Sequence, residues 1–180
     1  MGVPDYHIDQ ILDRLERKKK VNSGLKGNRG ENGVIDLLTE RFNMPFSRVP
    51  DSGARMSQVA LPEELKAAYT GDIVVPPGFL YCIECKNGYD DVNVENILLK
   101  GRTDATIDGF LAQAEKDAGR VNKKPMLCWK KTGKPFLAFT RDLRAGDYGF
   151  FYRDWVACHL KEILKLPDEV PRPPGPWPRR

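Results

Sequence analysis

Apolar residues recur along this chain with two periods, one near 3.6 residues and one of 2, and the changes between them mark its elements. Ile8, Ile11, Leu12 and Leu15 share one helical face over residues 7 to 20, and the Lys18-Lys19-Lys20 run that follows complements a helix C-terminus. Asn22-Ser23-Gly24 and Gly27-Asn28 interrupt the pattern. Val34, Ile35, Leu38 and Phe42 then predict a second helix from about Gly30 to Phe42. Residues 43 to 61 read as a loop, and Pro62 to Tyr69 as a small helix with Pro62 in its first turn, stopped by Gly71.

At Asp72-Ile73-Val74-Val75 and Phe79 to Lys86 the composition turns β-rich, and the intervening Pro76-Pro77-Gly78 predicts an antiparallel hairpin. Ile107, Phe110, Leu111, Ala114 and Ala118 mark a helix from about Ile107 to Val121, and strands follow near Met126 to Lys131 and Phe136 to Thr140. Val156, Leu160, Ile163 and Leu164 predict a last helix over residues 152 to 166. Phe150, Phe151, Tyr152 and Trp155 either pack that helix into the core or form an interface. Six of the 14 prolines fall in residues 167 to 180, a composition suited to an extended tail. The chain therefore divides into a basic helical extension (1–25), one α/β domain (26–166) and a Pro-rich flexible tail (167–180).

Composition narrows the class. With 180 residues, 41% of them hydrophobic, one core forms without disulfide or metal staples. No apolar run is long enough for a membrane span, and the acidic, polar first ten residues do not make a secretory leader, so the expected compartment is the cytoplasm, or the host cytoplasm for a viral protein. The four cysteines have unpatterned spacings and read as reduced core residues. A net charge of +4 permits a polyanionic partner without requiring one. Within the first thirty residues seven basic side chains face four acidic ones, so most of the excess sits there.

Some carboxylates do not suit a core. Glu31 lies on the inward stripe of the second helix, three, four and seven positions before Val34, Ile35 and Leu38. Period-two alternation puts Cys82, Glu84 and Lys86 on one face of the second hairpin strand and Ile83 and Cys85 on the other. A three-residue turn pairing Val75 with Phe79 sets Asp72 opposite Cys82 and diagonal to Glu84, so Asp72, Glu84 and Lys86 converge. Neighbouring carboxylates repel unless a cation lies between them, and carboxylates with waters or a carbonyl are what Mg²⁺ or Mn²⁺ prefers. Such a pair beside a lysine suggests metal-assisted hydrolysis, against the simpler reading of an ion pair on a solvated strand. Alternation also separates Cys82 from Cys85, and His7 and His159 lie far off, which argues against zinc. The glycines from Gly24 to Gly33 do not complete a phosphate loop, so no nucleotide cofactor is expected.

In order along the chain, Glu31 in a helix, Asp72 opening a strand, Glu84-Cys85-Lys86 ending the next and Gln113-Ala114 in the following helix resemble the PD-(D/E)XK nuclease superfamily. The likeness is greatest to its archaeal and phage Holliday junction resolvase branch and covers roughly residues 26 to 140. Lys26-Gly27-Asn28-Arg29-Gly30-Glu31 is similar to the opening motif, Asp51-Ser52-Gly53-Ala54 to a serine-glycine loop, and Lys124 to Leu127 with Lys130 to the strand after the glutamine helix. The resemblance implies a restriction-endonuclease-like mixed central sheet flanked by helices. It also implies a metal, Mg²⁺ with Mn²⁺ able to substitute, held by Asp72, Glu84 and the main-chain carbonyl of Cys85, with Glu31 completing the set. Lys86 would serve the attacking water, Gln113 support the site and Ser52 touch the scissile phosphate. Two departures stand out: Ala54 to Gly71 is longer than the branch usually allows, and Gly71 replaces the proline of the superfamily's name.

DNA affinity would rest on phosphate contacts from Lys18, Lys19, Lys20, Lys26, Arg29, Arg48 and Arg55, the last two flanking Ser52. No base-reading motif is evident, which favours recognition of DNA shape. The expected activity is paired, symmetric nicking of four-way junctions, which needs two sites related by a two-fold axis and hence a homodimer. Another nuclease of the same fold, repair or restriction-like, and a non-catalytic DNA-binding protein on that fold are the competing readings.

Overall fold

The computed structural model describes residues 23–50, 62, 68–93, 97, 101–142 and 149–165. The helix expected over 7 to 20 with Lys18, Lys19 and Lys20, the loop carrying Ser52 and Arg55, residues 63 to 67 of the expected small helix at 62 to 69 and the tail from 167 lie outside them.

The order of elements is α1 (Ser23–Phe42), β1 (Ser47–Arg48), β2 (Ile73–Val74), β3 (Tyr81–Asn87), α2 (Ala105–Arg120), β4 (Lys124–Lys130), β5 (Leu137–Thr140), β6 (Gly149–Tyr152), β7 (Trp155–His159) and α3 (Leu160–Ile163). A mixed five-stranded sheet runs β3-β4-β5-β7-β6, with β3 and β4 parallel and the other neighbours antiparallel. Strands β1 and β2 form a separate antiparallel pair, Ser47 opposite Val74 and Arg48 opposite Ile73. This is the mixed α/β sheet flanked by helices that the resemblance implies.

Alternation divides the core between the two faces of the sheet. Ile83, Cys85, Met126, Cys128, Ala138, Val156 and Cys158 pack with Val34 and Leu38 of α1. Leu127, Trp129, Phe139, Trp155 and Ala157 pack with Ile107, Leu111 and Ala114 of α2. Helix α2 starts at Asp104, whose carboxylate accepts from the Thr106 and Ile107 amides at 2.9 and 3.2 Å. It crosses over from β3 and delivers the chain to β4 in parallel.

Three expectations need correction. The first helix begins at Ser23 and runs through the glycines read as breaks. Each glycine weakens a helix by about 1 kcal/mol, a local cost that does not end α1 at Gly24 or Gly27, and two further glycines let the helix approach its neighbours. A Cβ at Gly30 would stand 2.7 Å from the Asn87 Cβ, and one at Gly33 3.1 Å from the Phe136 ring. Next, the predicted hairpin is not a ladder. Strand β2 pairs with β1 inside the supposed loop at 43 to 61, and β3 begins only at Tyr81, because the turn closed by Phe79 N–H on the Pro76 carbonyl (3.1 Å) is followed by two residues outside any strand.

The last expected helix, 152 to 166, is mostly strand. Strands β6 and β7 form a hairpin about Arg153-Asp154, with Arg153 at φ +54°, and only Leu160–Ile163 is helical. Val156 and Cys158 face α1 while Trp155 and Ala157 face the α2 side, so β7 is buried on both faces, and a continuous apolar run carries no period that separates strand from helix. Tyr152 and Trp155 are core residues, whereas Phe151 is exposed.

Candidate active site

Strand β3 is an edge of the five-stranded sheet, and its open side carries the site. Ile83 and Cys85 turn toward α1, leaving Glu84 and Lys86 on the opposite face, as alternation predicts. Glu84 is 2% exposed and accepts a hydrogen bond from Lys86 Nζ through Oε1. The ammonium also lies 5.5 Å from the centre of the Phe110 ring, which Tyr89 meets edge-on at 4.7 Å.

Asp72 docks on the free edge of β3. Its amide donates to the Ile83 carbonyl at 2.9 Å, and its Oδ2 accepts from the Cys85 amide at 2.8 Å. A residue's N–H and C=O leave a strand on the same side, so the Cys85 carbonyl shares the edge that holds the Asp72 carboxylate. The register therefore sits one residue from the expected one: Asp72 meets Ile83 rather than Cys82, yet still converges with Glu84. The preceding Gly71 has φ +89°, and a Cβ there would lie 2.6 Å from the Ile83 carbonyl oxygen. Proline, confined to φ near −65°, cannot occupy this position, which accounts for the departure at residue 71.

Glu31 approaches from α1. It is 7% exposed, and its Oε2 is bonded by Arg48 Nε from β1. Arg48 shares a face with Ile73, its partner across β1 and β2, and Ile73 belongs to the α1 side of the core.

The charges at this edge act on one another. Burial raises the Asp72 carboxyl above its ordinary value against the lowering effect of the Cys85 amide, and Lys86 lowers it while Glu31 and Asp117 add to the rise. Burial and then the Asp72 charge push Glu84 up to about 7 despite Lys86. For Lys86, burial alone would lower the ammonium, but Glu84 and Asp72 together outweigh it and the net direction is up. Lys86 is thus a proton-bearing donor in this state, not a free base. The Cys82 and Cys128 thiols, pushed up to about 12 by burial, stay protonated and are poor metal ligands.

The donors fit a small hard divalent cation. A buried carboxylate raised by a half-buried one beside it, together with a peptide carbonyl, forms an all-oxygen set in which a cation relieves the repulsion. Among the described residues no three of His, Cys, Asp and Glu form a ready cage, and Glu31 is held by Arg48.

Other expected residues fall less centrally. Gln113 is exposed on α2, and no hydrogen bond joins it to Asp72, Glu84 or Lys86. Arg29 is exposed on α1, and Lys26 belongs to the same helix. The acid missed by the sequence reading is Asp117, bonded by Arg120 at 2.8 Å, whose charge bears on Asp72, Glu84 and Cys82. Its place one helical turn after Gln113 was the available signal.

A helix-flanked mixed sheet with two acids and a lysine at the edge of β3 is the frame of a PD-(D/E)XK nuclease. The chain belongs to the family described as "Phage putative PDDEXK endonuclease", which it matches over residues 22–144. It is also 36% identical over 115 residues to "Protein D14" of Escherichia phage T5, a match covering 62% of this chain and 66% of that protein. The chain thus spans just under two thirds of the relative's length. No solved structure matches it. Nucleases of this superfamily generally use divalent metals, and no helix among the described residues is long and apolar enough to cross a membrane.

Proposed function

We propose that this protein is a Mg²⁺-dependent endonuclease acting on branched DNA, most specifically a resolvase that nicks four-way junctions in symmetric pairs as a homodimer. The observation that carries the chemistry is the docking of Asp72 on the β3 edge beside Glu84 and Lys86, in a chain of a nuclease family. The branched substrate is supported by the likeness of the Lys26 to Glu31 and Asp51 to Ala54 strings to the resolvase branch, and by the lack of a base-reading motif.

Asp72, Glu84 and the Cys85 carbonyl would hold the cation, which supplies Lewis-acid polarisation of the scissile phosphate and acidifies the attacking water. Lys86 holds its proton at Nζ, so it orients that water and stabilises negative charge developing on the phosphate as one P–O ester bond breaks. Phe110 and Glu84 confine the ammonium from two sides. Lys18, Lys19, Lys20, Lys26, Arg29, Arg48 and Arg55 are the phosphate contacts, with Ser52 nearest the cut and Gln113 a supporting group.

The test is cleavage of a labelled four-way junction beside linear duplex and single-strand controls, in Mg²⁺ and in EDTA. Paired symmetric nicks in the junction alone are expected. Equal cutting of linear duplex keeps the nuclease and discards the junction preference, and binding with no metal-dependent cleavage establishes the non-catalytic alternative.

A further inference from the structure

Glu31 is a nearly buried carboxylate and therefore requires a cationic partner. In the free protein Arg48 serves, and the bond is uneven. Glu31 is enclosed by α1 and β1, while the Arg48 side chain keeps 34% of its surface exposed. Only Nε of the guanidinium is hydrogen-bonded to Glu31, and among the described residues neither terminal nitrogen has a hydrogen-bond partner, which leaves four N–H donors for another acceptor. Arg48 also lies beside the metal-side acid, since it pairs with Ile73 and the next residue, Val49, donates its amide to the Asp72 carbonyl at 3.0 Å. A partly exposed guanidinium whose terminal nitrogens have no hydrogen-bond partner among the described residues suits a phosphate, which arginine binds bidentately.

Resting on the reading that Asp72 and Glu84 hold a divalent cation, we propose that Arg48 is a positioning residue that locks Glu31 in the DNA-free protein. A backbone phosphate draws the guanidinium away, and the released Glu31 carboxylate joins the cation set. One positive partner of Glu31 is exchanged for another, so the buried charge is never left alone. The motion is a rotation of one half-buried side chain on a two-residue strand. DNA and metal binding are thereby coupled, and each strengthens the other by the same factor. The lock accounts for the absence of a preformed three-acid cage among the described residues although Glu31 bears on Asp72.

The experiment is calorimetric titration of Mn²⁺ into the full chain without DNA. Arg48→Gln is expected to tighten Mn²⁺ by about fivefold or more, and adding Glu31→Gln to it is expected to cancel the gain. Lys116→Gln removes an equal charge from an exposed site on α2, next to Asp117, and leaves the affinity within about twofold, which separates the lock from long-range charge. Should Arg48→Gln fail to fold, Glu31→Gln alone supplies the test. It changes DNA-free Mn²⁺ affinity less than about threefold, but with junction bound in a Lys86→Gln background, where turnover is suppressed, it weakens Mn²⁺ about tenfold. Unchanged or weaker Mn²⁺ binding by folded Arg48→Gln overturns the lock while leaving the metal site intact. If Asp72→Asn has no effect on Mn²⁺ affinity, the metal-site reading itself falls, and the lock with it.

Discussion

Glu84 and Lys86 stand two residues apart on one strand, whereas Glu31 and Arg48 are 17 residues apart, on a helix and on a strand of a different sheet. The first pair meets wherever β3 forms, because alternate residues share a face. The second exists only after α1 has packed against β1. The pairs also differ in what surrounds them: Glu84 is pressed by a neighbouring acid and carries a raised pKa, while about a third of the Arg48 side chain remains exposed. A locally built pair is suited to standing chemistry, and a pair assembled across elements can be rearranged by a ligand.

Substitutions can separate these roles. Asp72→Asn should lower the cleavage rate by about 10³-fold while junction binding in a gel-shift assay persists, because the cation is lost but the phosphate contacts are not. Full cleavage by this variant would overturn the role given to the β3 edge. Lys86→Gln should cost about 10²-fold in kcat with little change in KM, as expected of a group that acts on developing charge. Gly30→Ala tests the dependence of Glu31 on α1 packing: the new Cβ, 2.7 Å from the Asn87 Cβ, displaces α1 from β3, and cleavage should fall about tenfold while the Glu84 and Lys86 pair is undisturbed. Gly33→Ala, meeting only the Phe136 ring at 3.1 Å, should be milder in the same assay.

The smallest effect is on stability against pH. A carboxyl whose pKa is raised by folding binds more protons in the folded state, so the metal-free protein loses stability as pH rises from the unfolded value of 4.5 through about 7. The slope is at most about 1.4 kcal/mol per pH unit for one proton. Denaturant midpoints at pH 5 and 8 in EDTA should show the lower pH as more stable, and Glu84→Gln should flatten the difference while abolishing cleavage. A steeper loss in the variant would place the titration elsewhere.

Much of the architecture was legible where a periodic stripe met a single face. Helix α2 falls where Ile107, Leu111, Ala114 and Ala118 place it, and β4 and β5 lie close to their expected bounds. Legibility failed where burial was two-sided or glycine was used for contact. Strand β7 offers no period because both faces are buried, and the start of α1 was misplaced because Gly24 and Gly27, locally unfavourable in a helix, lie inside it, while Gly30 and Gly33 serve its close approach to Asn87 and Phe136. In the candidate site, alternation alone put Glu84 and Lys86 on one face, whereas Asp72 was brought to them by a hairpin register that the structure replaces, and Asp117 was passed over because an acid on an amphipathic helix is ordinarily a solvated one.

The amino-acid sequence by itself determined which residues share a face: Glu84 with Lys86, apart from Ile83 and Cys85, and Glu31 with the inward stripe of α1. Those relations follow from backbone dihedrals within one element and need no other part of the chain. Tertiary structure alone decided the rest: that β3 is an open edge, that Asp72 closes it through the Cys85 amide, and that Arg48 reaches Glu31. These depend on strand partners chosen by competition among long-range pairings, in which β2 joined β1 and β3 joined β4, and local periodicity holds no information about that choice.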